Sequence, residues 1–205
     1  MRLAGPSSWR ISEDRWPESF DVALWFRAAE RIDVASGGVV PGEPDVEPRP
    51  DLGTDLQDAA ELAAGWLAWW HALVELPPPS PEPDAAWPPA LLAFDPPDFP
   101  GLAAWPALRR AVVGLWVLAQ DWHNARLEAG LEAGLHHDAR TGQVVAELER
   151  ELGRKARPFS LDLVLLPVCD EQIRAAGADR YLVPERIYDG PQWPGLLRAL
   201  LIPRA

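Results

Sequence analysis

Residues 159–168 read Phe-Ser-Leu-Asp-Leu-Val-Leu-Leu-Pro-Val, and they change the hydrophobic period of the chain. Apolar residues first alternate with Ser160 and Asp162, as in a half-buried β-strand, and both faces become apolar towards the end of the run. A second short strand is predicted at 180–184, with one or two helical turns at 171–176 between the two strands. The sequence therefore predicts a small β element at the C-terminal end of the chain.

Helical periodicity dominates the rest of the sequence. Residues 17–32 favour a helix that begins after Pro17, although their apolar residues also alternate as in a strand. The clearest stripe runs from Leu56 to Val74, with Thr54 or Asp55 as the N-cap of its helix. Further helices are predicted at 106–136, 141–155 and 193–201. The predicted fold class is α+β and predominantly α-helical, with a helical core in which the wholly apolar run 111–119 is central and buried.

Two irregular segments interrupt the helices without dividing the chain, so we expect a single globular domain over residues 1–205. Residues 41–51 form an acidic, proline-rich loop. Residues 77–106 are rich in proline and aromatic residues, with ten prolines between 77 and 100. Because large apolar side chains are interleaved with these prolines, we expect the segment to lie across the core. An exposed ligand for a proline-reading domain is the alternative.

The charge balance excludes some partners and suggests another. The 205 residues include 19 basic and 31 acidic side chains, a net charge of -12, which disfavours nucleic acids and anionic membranes as partners. Neither lysine nor arginine occurs between Pro50 and Leu108. This acidic stretch is either a solvated face that aids solubility or a docking surface for a basic partner.

The single cysteine, Cys169, excludes an internal disulfide and suits a reducing compartment. Since the N-terminus lacks the apolar run of a signal peptide, we expect a cytoplasmic location. Asp170 and Glu171 follow Cys169 directly and disfavour its thiolate, so a buried structural thiol is predicted rather than a nucleophile.

Tryptophan is abundant, with eleven in the chain, and it suits core edges and binding anchors. Trp66, Trp70 and Trp116 are predicted in the core. Trp9, Trp16, Trp69 and Trp87 are predicted to be partly exposed. For a basic partner, the predicted binding residues are Asp55, Asp58, Glu61, Trp69 and Trp87.

Signatures of catalysis are missing, because the chain has no Gly-x-Ser-x-Gly, His-Glu-x-x-His, Gly-x-Gly-x-x-Gly or phosphate-loop motif. His71 and His123 are the catalytic candidates, with Asp121 placed to orient an imidazole. A histidine at the core edge, bonded to a backbone carbonyl, is the structural alternative.

The candidate metal ligands are Glu132, His136 and His137, near the end of the third helix. An exposed helical face is the alternative interpretation of these residues, and no cofactor is predicted.

Two functions follow from these observations. The first is a non-catalytic protein-binding module, such as an adaptor, a chaperone-like subunit or a toxin-neutralising protein, that recognises a basic partner through an acidic, tryptophan-bearing surface. The alternative is a small enzyme or a ligand- or metal-binding protein with a site built from helix histidines and carboxylates. The small residues between Ala125 and Gly134 allow close packing within the chain or across a homodimer.

Overall fold

The computed structural model describes residues 9–48, 58–76, 93–133 and 139–204. Their elements are, in chain order, β1 (Trp9–Asp14), α1 (Glu18–Ala29), α2 (Ala59–Glu75), a 3₁₀ helix (Pro100–Leu102), α3 (Pro106–Glu132), α4 (Ala139–Leu152), β2 (Phe159–Leu166), β3 (Arg174–Ala175), β4 (Arg180–Pro184), α5 (Glu185–Tyr188) and α6 (Trp193–Leu201). The predicted fold class, α+β and mainly helical, is confirmed.

The sheet has the strand order β1-β2-β4-β3. Strand β1 runs parallel to β2, with Trp9 opposite Phe159 and Asp14 opposite Val164, and β4 is also parallel to β2. Strand β3 pairs antiparallel with β4, where the sequence predicted helical turns. The sequence pattern also missed β1, because an edge strand that is only half-buried carries no long apolar run.

Strand β2 separates two hydrophobic cores. Val164 and Leu166 join the core formed with α1, α2 and α3. Leu161, Leu163 and Leu165 join the core formed with α4, α5 and α6. Parallel strands usually need helices on both faces, and the unbroken burial of β2 from residue 161 onwards agrees with this arrangement.

Helices α1 and α2 are held together by tryptophan. The segment 17–32 is a helix rather than a strand, and every residue from Phe20 to Ala29 is buried. Trp66 Nε1 on α2 donates to the backbone oxygen of Ala23 at 2.7 Å, which satisfies the indole donor inside the core. The predicted caps of the second helix, Thr54 and Asp55, lie outside the described residues.

The described part of the proline- and aromatic-rich segment contacts the core. Phe99 is buried, and the ring of Phe94 stacks on Trp69 with 6.1 Å between centroids. Residues 77–92 lie outside the description.

The prediction that the first half of α3 is buried all round is wrong. Val113, Val117 and Leu118 expose 51%, 67% and 49% of their surface, because α1 and α2 pack against α3 from the opposite side. Among the described residues, no helix has both the length and the apolar character needed to cross a membrane.

Candidate functional site

Two of the acidic residues predicted to bind a partner make contacts within the chain. Glu61 Oε1 accepts a hydrogen bond from the backbone N–H of Ala107 at 2.6 Å, in the first turn of α3. Asp58 Oδ2 lies 3.3 Å from Nη2 of Arg110. Glu61 therefore caps a helix, and the Asp58–Arg110 ion pair is exposed.

Trp69, one of the two tryptophans predicted as partner anchors, lies in the hydrophobic core. Trp69 is only 2% exposed, so the prediction that it is partly exposed is wrong. It lies between Phe26 of α1 and Phe94, each with its ring centroid 6.1 Å from that of Trp69. These rings come from distant parts of the sequence, so the periodicity of α2 alone could not show their position. Trp87 and Asp55 lie outside the described residues.

The outer face of α3 combines apolar and acidic side chains. Val113 and Val117 lie one turn apart, with Leu118 beside them. Asp121, Glu128 and Glu132 are exposed further along the helix. Spacings near multiples of 3.6 residues place these positions on one side of α3. We call this surface the α3 outer face: Val113, Val117, Leu118, Asp121, Glu128 and Glu132.

A second feature is built around His123, on the inner side of α3. His123 is 7% exposed, and its Nδ1 lies 2.9 Å from Oδ2 of Asp21, which is fully buried in the first turn of α1. A carboxylate only accepts hydrogen bonds, so Nδ1 of His123 donates to Asp21, and Nε2 is the ring nitrogen that takes no part in this bond. Within the described residues, Oδ1 of Asp21 is buried and has no hydrogen-bond partner.

Arg126 connects the His123–Asp21 pair to Glu185 of α5. Its Nε lies 3.3 Å from Oδ2 of Asp21, and its Nη2 donates to Oε1 of Glu185 at 2.9 Å. Burial lowers the pKa of Arg126, but the carboxylates of Asp21 and Glu185 outweigh burial and leave this pKa raised. The guanidinium also lies over the ring of Trp122, 5.0 Å from its centroid. Arg126 thus remains a cation that joins α1, α3 and α5.

We call His123, Asp21, Arg126 and Glu185 the His123 cluster, and it lies at the carboxyl edge of the parallel strands. Asp14 ends β1, and Glu185 follows β4 directly. The pKa of Asp14 is raised by burial first and then by the carboxylates of Asp162 and Asp21, although His123 and the N–H of Trp16 oppose this rise. Ligands of open α/β sheets commonly bind outside the carboxyl ends of the strands, which makes this edge a candidate site.

The sequence identified His123 but not its partner. His71 and Asp121 are exposed, so the structure does not bring them to His123, and Asp121 does not orient it. The predicted alternative, a bond to a backbone carbonyl, is also wrong, because the acceptor is the carboxylate of Asp21. A signal for Asp21 was present, since it is the one charged residue in the apolar run Phe20–Phe26.

The structure gives no support to the predicted metal ligands. Glu132 is exposed at the end of α3, and His136 and His137 lie outside the described residues. Across residues 9–48, 58–76, 93–133 and 139–204, no three histidine, cysteine, aspartate or glutamate side chains form a group that could hold a metal ion.

Cys169 is exposed, so the prediction of a buried thiol is wrong. It follows β2 at the surface, where its backbone N–H donates to the oxygen of Glu43 at 2.8 Å. Partial burial raises the pKa of the thiol, and the nearby carboxylates of Asp45 and Glu43 raise it further. The thiolate is therefore disfavoured, as predicted, although Asp45 and Glu43 contribute more than the adjacent Asp170.

Comparisons with protein-family models, with curated protein sequences and with solved structures give no match to this chain.

Proposed function

We propose that this chain is a non-catalytic protein-binding module that recognises a basic, amphipathic helix through the α3 outer face. The observation that carries the proposal is the exposure of Val113, Val117 and Leu118 on a helix whose opposite side packs against α1 and α2. Single exposed apolar residues are ordinary, but adjacent ones on one helix face are typical of interaction surfaces.

The charges on the same face indicate the chemistry of the partner. The apolar part of α3 continues into Asp121, Glu128 and Glu132, while Arg110 on the same side of the helix is paired with Asp58. The chain as a whole carries a net charge of -12. A helix with an apolar stripe flanked by lysine or arginine complements both parts of this face. A second copy of the chain is disfavoured as the occupant, because two such faces would bring acids together.

The proposed binding surface consists of other residues than those that the sequence suggested. Glu61 caps α3 and Trp69 is inside the core, so substitution of either residue would disturb the fold. We still propose that an acidic surface binds a basic partner, and we still expect a cytoplasmic location.

The test uses a synthetic 18-residue helix with a leucine stripe flanked by lysines, labelled with fluorescein. Its binding is measured by fluorescence anisotropy at increasing NaCl concentration, beside a peptide in which glutamate replaces every lysine. We expect the lysine peptide to bind, and its affinity to fall with salt because exposed charges are screened. Val117→Ser should weaken binding by roughly tenfold, since burial of a valine contributes about 1.5 kcal/mol.

Matched variants separate the α3 outer face from general acidity. Ile202→Ser removes an apolar side chain that is 57% exposed at the end of the chain, and Glu171→Gln removes an exposed acid. Both should bind the lysine peptide as the parent does, whereas Glu128→Gln should bind it more weakly. Equal losses in the control variants, or equal binding of the glutamate peptide, would contradict the proposal.

The His123 cluster favours the alternative function, a ligand-binding or catalytic site. The carboxylate of Asp21 fixes the imidazole so that Nε2 is the nitrogen available to a substrate proton. The same arrangement on other proteins activates a general base, but the ion pairs to Arg126 also suit a purely structural role.

Accessibility of Nε2 distinguishes these two roles. Diethyl pyrocarbonate acylates neutral imidazole nitrogens that solvent can reach, and mass spectrometry locates the modified histidine. A site that meets substrates requires modification of His123 in the folded protein, at a rate within about tenfold of the exposed His71. Protection of His123 while His71 reacts would leave the cluster with a structural role only.

A further inference from the structure

A group of exposed arginines lies at the amino end of strands β1 and β2. Arg10 is on β1, Arg150 is in the last turn of α4, and Arg154 and Arg157 are on the segment that leads into β2. We call these four residues the amino-end basic surface. None of them belongs to α3, so this surface is separate from the α3 outer face and from the proposed function that depends on that face.

Strand pairing places Arg10 beside the start of β2. Trp9 lies opposite Phe159, and the two half-buried rings are stacked with 6.4 Å between their centroids. Arg10 follows Trp9 directly, and Arg157 lies shortly before Phe159. Two exposed cations from distant parts of the sequence are therefore close to one partly exposed aromatic pair.

A turn keeps the segment after α4 close to the end of that helix. The backbone N–H of Ala156 donates to Oε1 of Glu149 at 3.1 Å, which folds the segment back onto the last turn of α4. Arg154 and Arg157 therefore stay near Arg150 rather than extending away from it.

Two of the three acids in the last two turns of α4 are already paired with other cations. Oε2 of Glu149 lies 2.6 Å from Nζ of Lys155, and Oε2 of Glu151 lies 2.5 Å from Nη2 of Arg198. Glu147 is the third acid of these turns. One remaining acid cannot neutralise four arginines, so the amino-end basic surface keeps an excess of positive charge.

The four arginines have no carboxylate partner within the described residues. No hydrogen bond or ion pair there involves the side chains of Arg10, Arg150 or Arg157, and Arg154 donates only to the backbone oxygen of Lys155. Attraction to the negative end of the helix dipole accounts for Arg150, which is in the last turn of α4. It does not account for Arg10, which is on a strand, or for Arg157, which lies beyond the helix.

We propose that the amino-end basic surface binds a short acidic segment of a partner protein, whose carboxylates pair with these arginines. A guanidinium pairs well with a carboxylate, and cations spread over a surface suit carboxylates spaced along a peptide. Phosphate sites typically use backbone N–H groups at a helix N-terminus, whereas this surface lies at the C-terminal end of α4. A long polyanion such as nucleic acid would also meet the acidic remainder of a chain whose net charge is -12.

The test is fluorescence anisotropy of the full chain with a fluorescein-labelled 12-residue peptide in which glutamate alternates with serine. The salt concentration is about 0.15 M, where the screening length of about 8 Å makes the peptide respond to nearby arginines rather than to the net charge of the chain. One control peptide carries glutamine in place of glutamate, and the other control is an oligothymidylate of the same length. We expect the glutamate peptide to bind more tightly than either control. Absence of binding, or a control that binds as tightly, would overturn the proposal.

Two substitutions connect binding to the amino-end basic surface. Arg10→Gln and Arg157→Gln should each weaken binding of the glutamate peptide by about threefold, as is usual for one exposed ion pair, and together by about tenfold. Arg110→Gln makes the same change at an exposed arginine of α3 and should leave binding unchanged. Parental affinity in the double variant, or an equal loss in Arg110→Gln, would contradict the assignment.

Chemical shifts separate this surface from the α3 outer face. When the glutamate peptide is added, the amide signals of Arg10 and Arg157 should move, and those of Val113 and Val117 should not. Movement confined to α3 would show that the peptide binds elsewhere and that the proposal is wrong. Neither result changes what the lysine peptide tests at the α3 outer face.

Discussion

Gly130 of α3 leaves room for a side chain from another part of the chain. A Cβ built at this position would lie 2.2 Å from Cζ2 of Trp16, which follows β1. The sequence showed small residues at this end of α3 and predicted close packing there. The structure shows that the indole of Trp16 lies over Gly130, while Ala125 and Ala129 remain exposed.

Gly130→Ala should therefore lower the free energy of unfolding by about 1–3 kcal/mol, because the indole must move to avoid overlap. Gly114→Ala is the matched control on the same helix, since its added Cβ has no described atom within 4 Å apart from its chain neighbours and the backbone of its own helix. This control should raise stability by about 0.5–1 kcal/mol, because alanine favours the helix. Urea denaturation measures both values, and equal effects of the two substitutions would contradict the contact with Trp16.

Asp14 should make stability depend on pH. Its pKa is raised in the folded chain, chiefly by burial, so the folded state holds the proton more tightly than the unfolded state. The resulting stabilisation is present at acidic pH and is lost as the pH rises through the folded pKa. Asp14→Asn should consequently be more stable than the parent at pH 7, and the difference should shrink towards about pH 3, where an ordinary aspartate is protonated.

Denaturation midpoints of Asp14→Asn and of the parent across this range measure the effect. The asparagine oxygen can still accept the N–H of Trp16, so that hydrogen bond is preserved. Asp98→Asn, at an exposed position, provides the control for general charge removal. A difference between Asp14→Asn and the parent that grows on acidification would show that the sign of the shift is wrong.

At the scale of elements, a residue of α2 caps the N-terminus of α3. Trp105 precedes α3 and supplies no side-chain cap, and the N–H of Ala107 is bonded instead by Glu61. A carboxylate is favoured at this end of a helix because the free N–H groups there carry partial positive charge. The acid that the sequence marked as a partner contact is thus a capping residue supplied by a neighbouring helix.

Glu61→Ala should cost about 1 kcal/mol of stability, the usual loss for removing a capping acceptor. The amide of Ala107 should also exchange its hydrogen faster, which locates the loss at the start of α3. Glu75→Ala, at the exposed end of α2, should do neither. Unchanged exchange at Ala107 in the Glu61 variant would exclude the capping role.

At the scale of the whole molecule, β2 connects the two cores. Its two faces belong to different hydrophobic clusters, and its two edges pair with β1 and β4. A strand that is covered on both faces and paired on both edges opens only when much of the fold opens. Strand β3 has two residues and lies at the edge of the sheet, so it can open alone.

Native-state hydrogen exchange should rank the strands accordingly. We expect the amides of Leu163 and Leu165 to exchange at the rate of global unfolding, and those of β3 to exchange much earlier. Exchange rates measured at a series of low guanidinium chloride concentrations distinguish local from global opening. Early exchange in β2 would mean that the two cores unfold independently.

The sequence by itself determined most of the local structure. Helical and alternating periods identified α1, the described part of the second helix, α3, α4, α6, β2 and β4, because each element buries a continuous stripe or run. Histidine's chemistry likewise singled out His123 as a candidate. These features depend on residues that are close in sequence, and the sequence contains that information.

Tertiary structure decided what each element faces. Strand β1 pairs with a strand that lies 150 positions later in the sequence, since Trp9 lies opposite Phe159. No local pattern specifies such a pairing. The burial of Trp69, the exposure of Val117 and the bond from His123 to Asp21 depend in the same way on which elements pack together. Periodicity identifies a buried stripe, but only the packing of distant elements decides which apolar residues stay exposed and which charges meet.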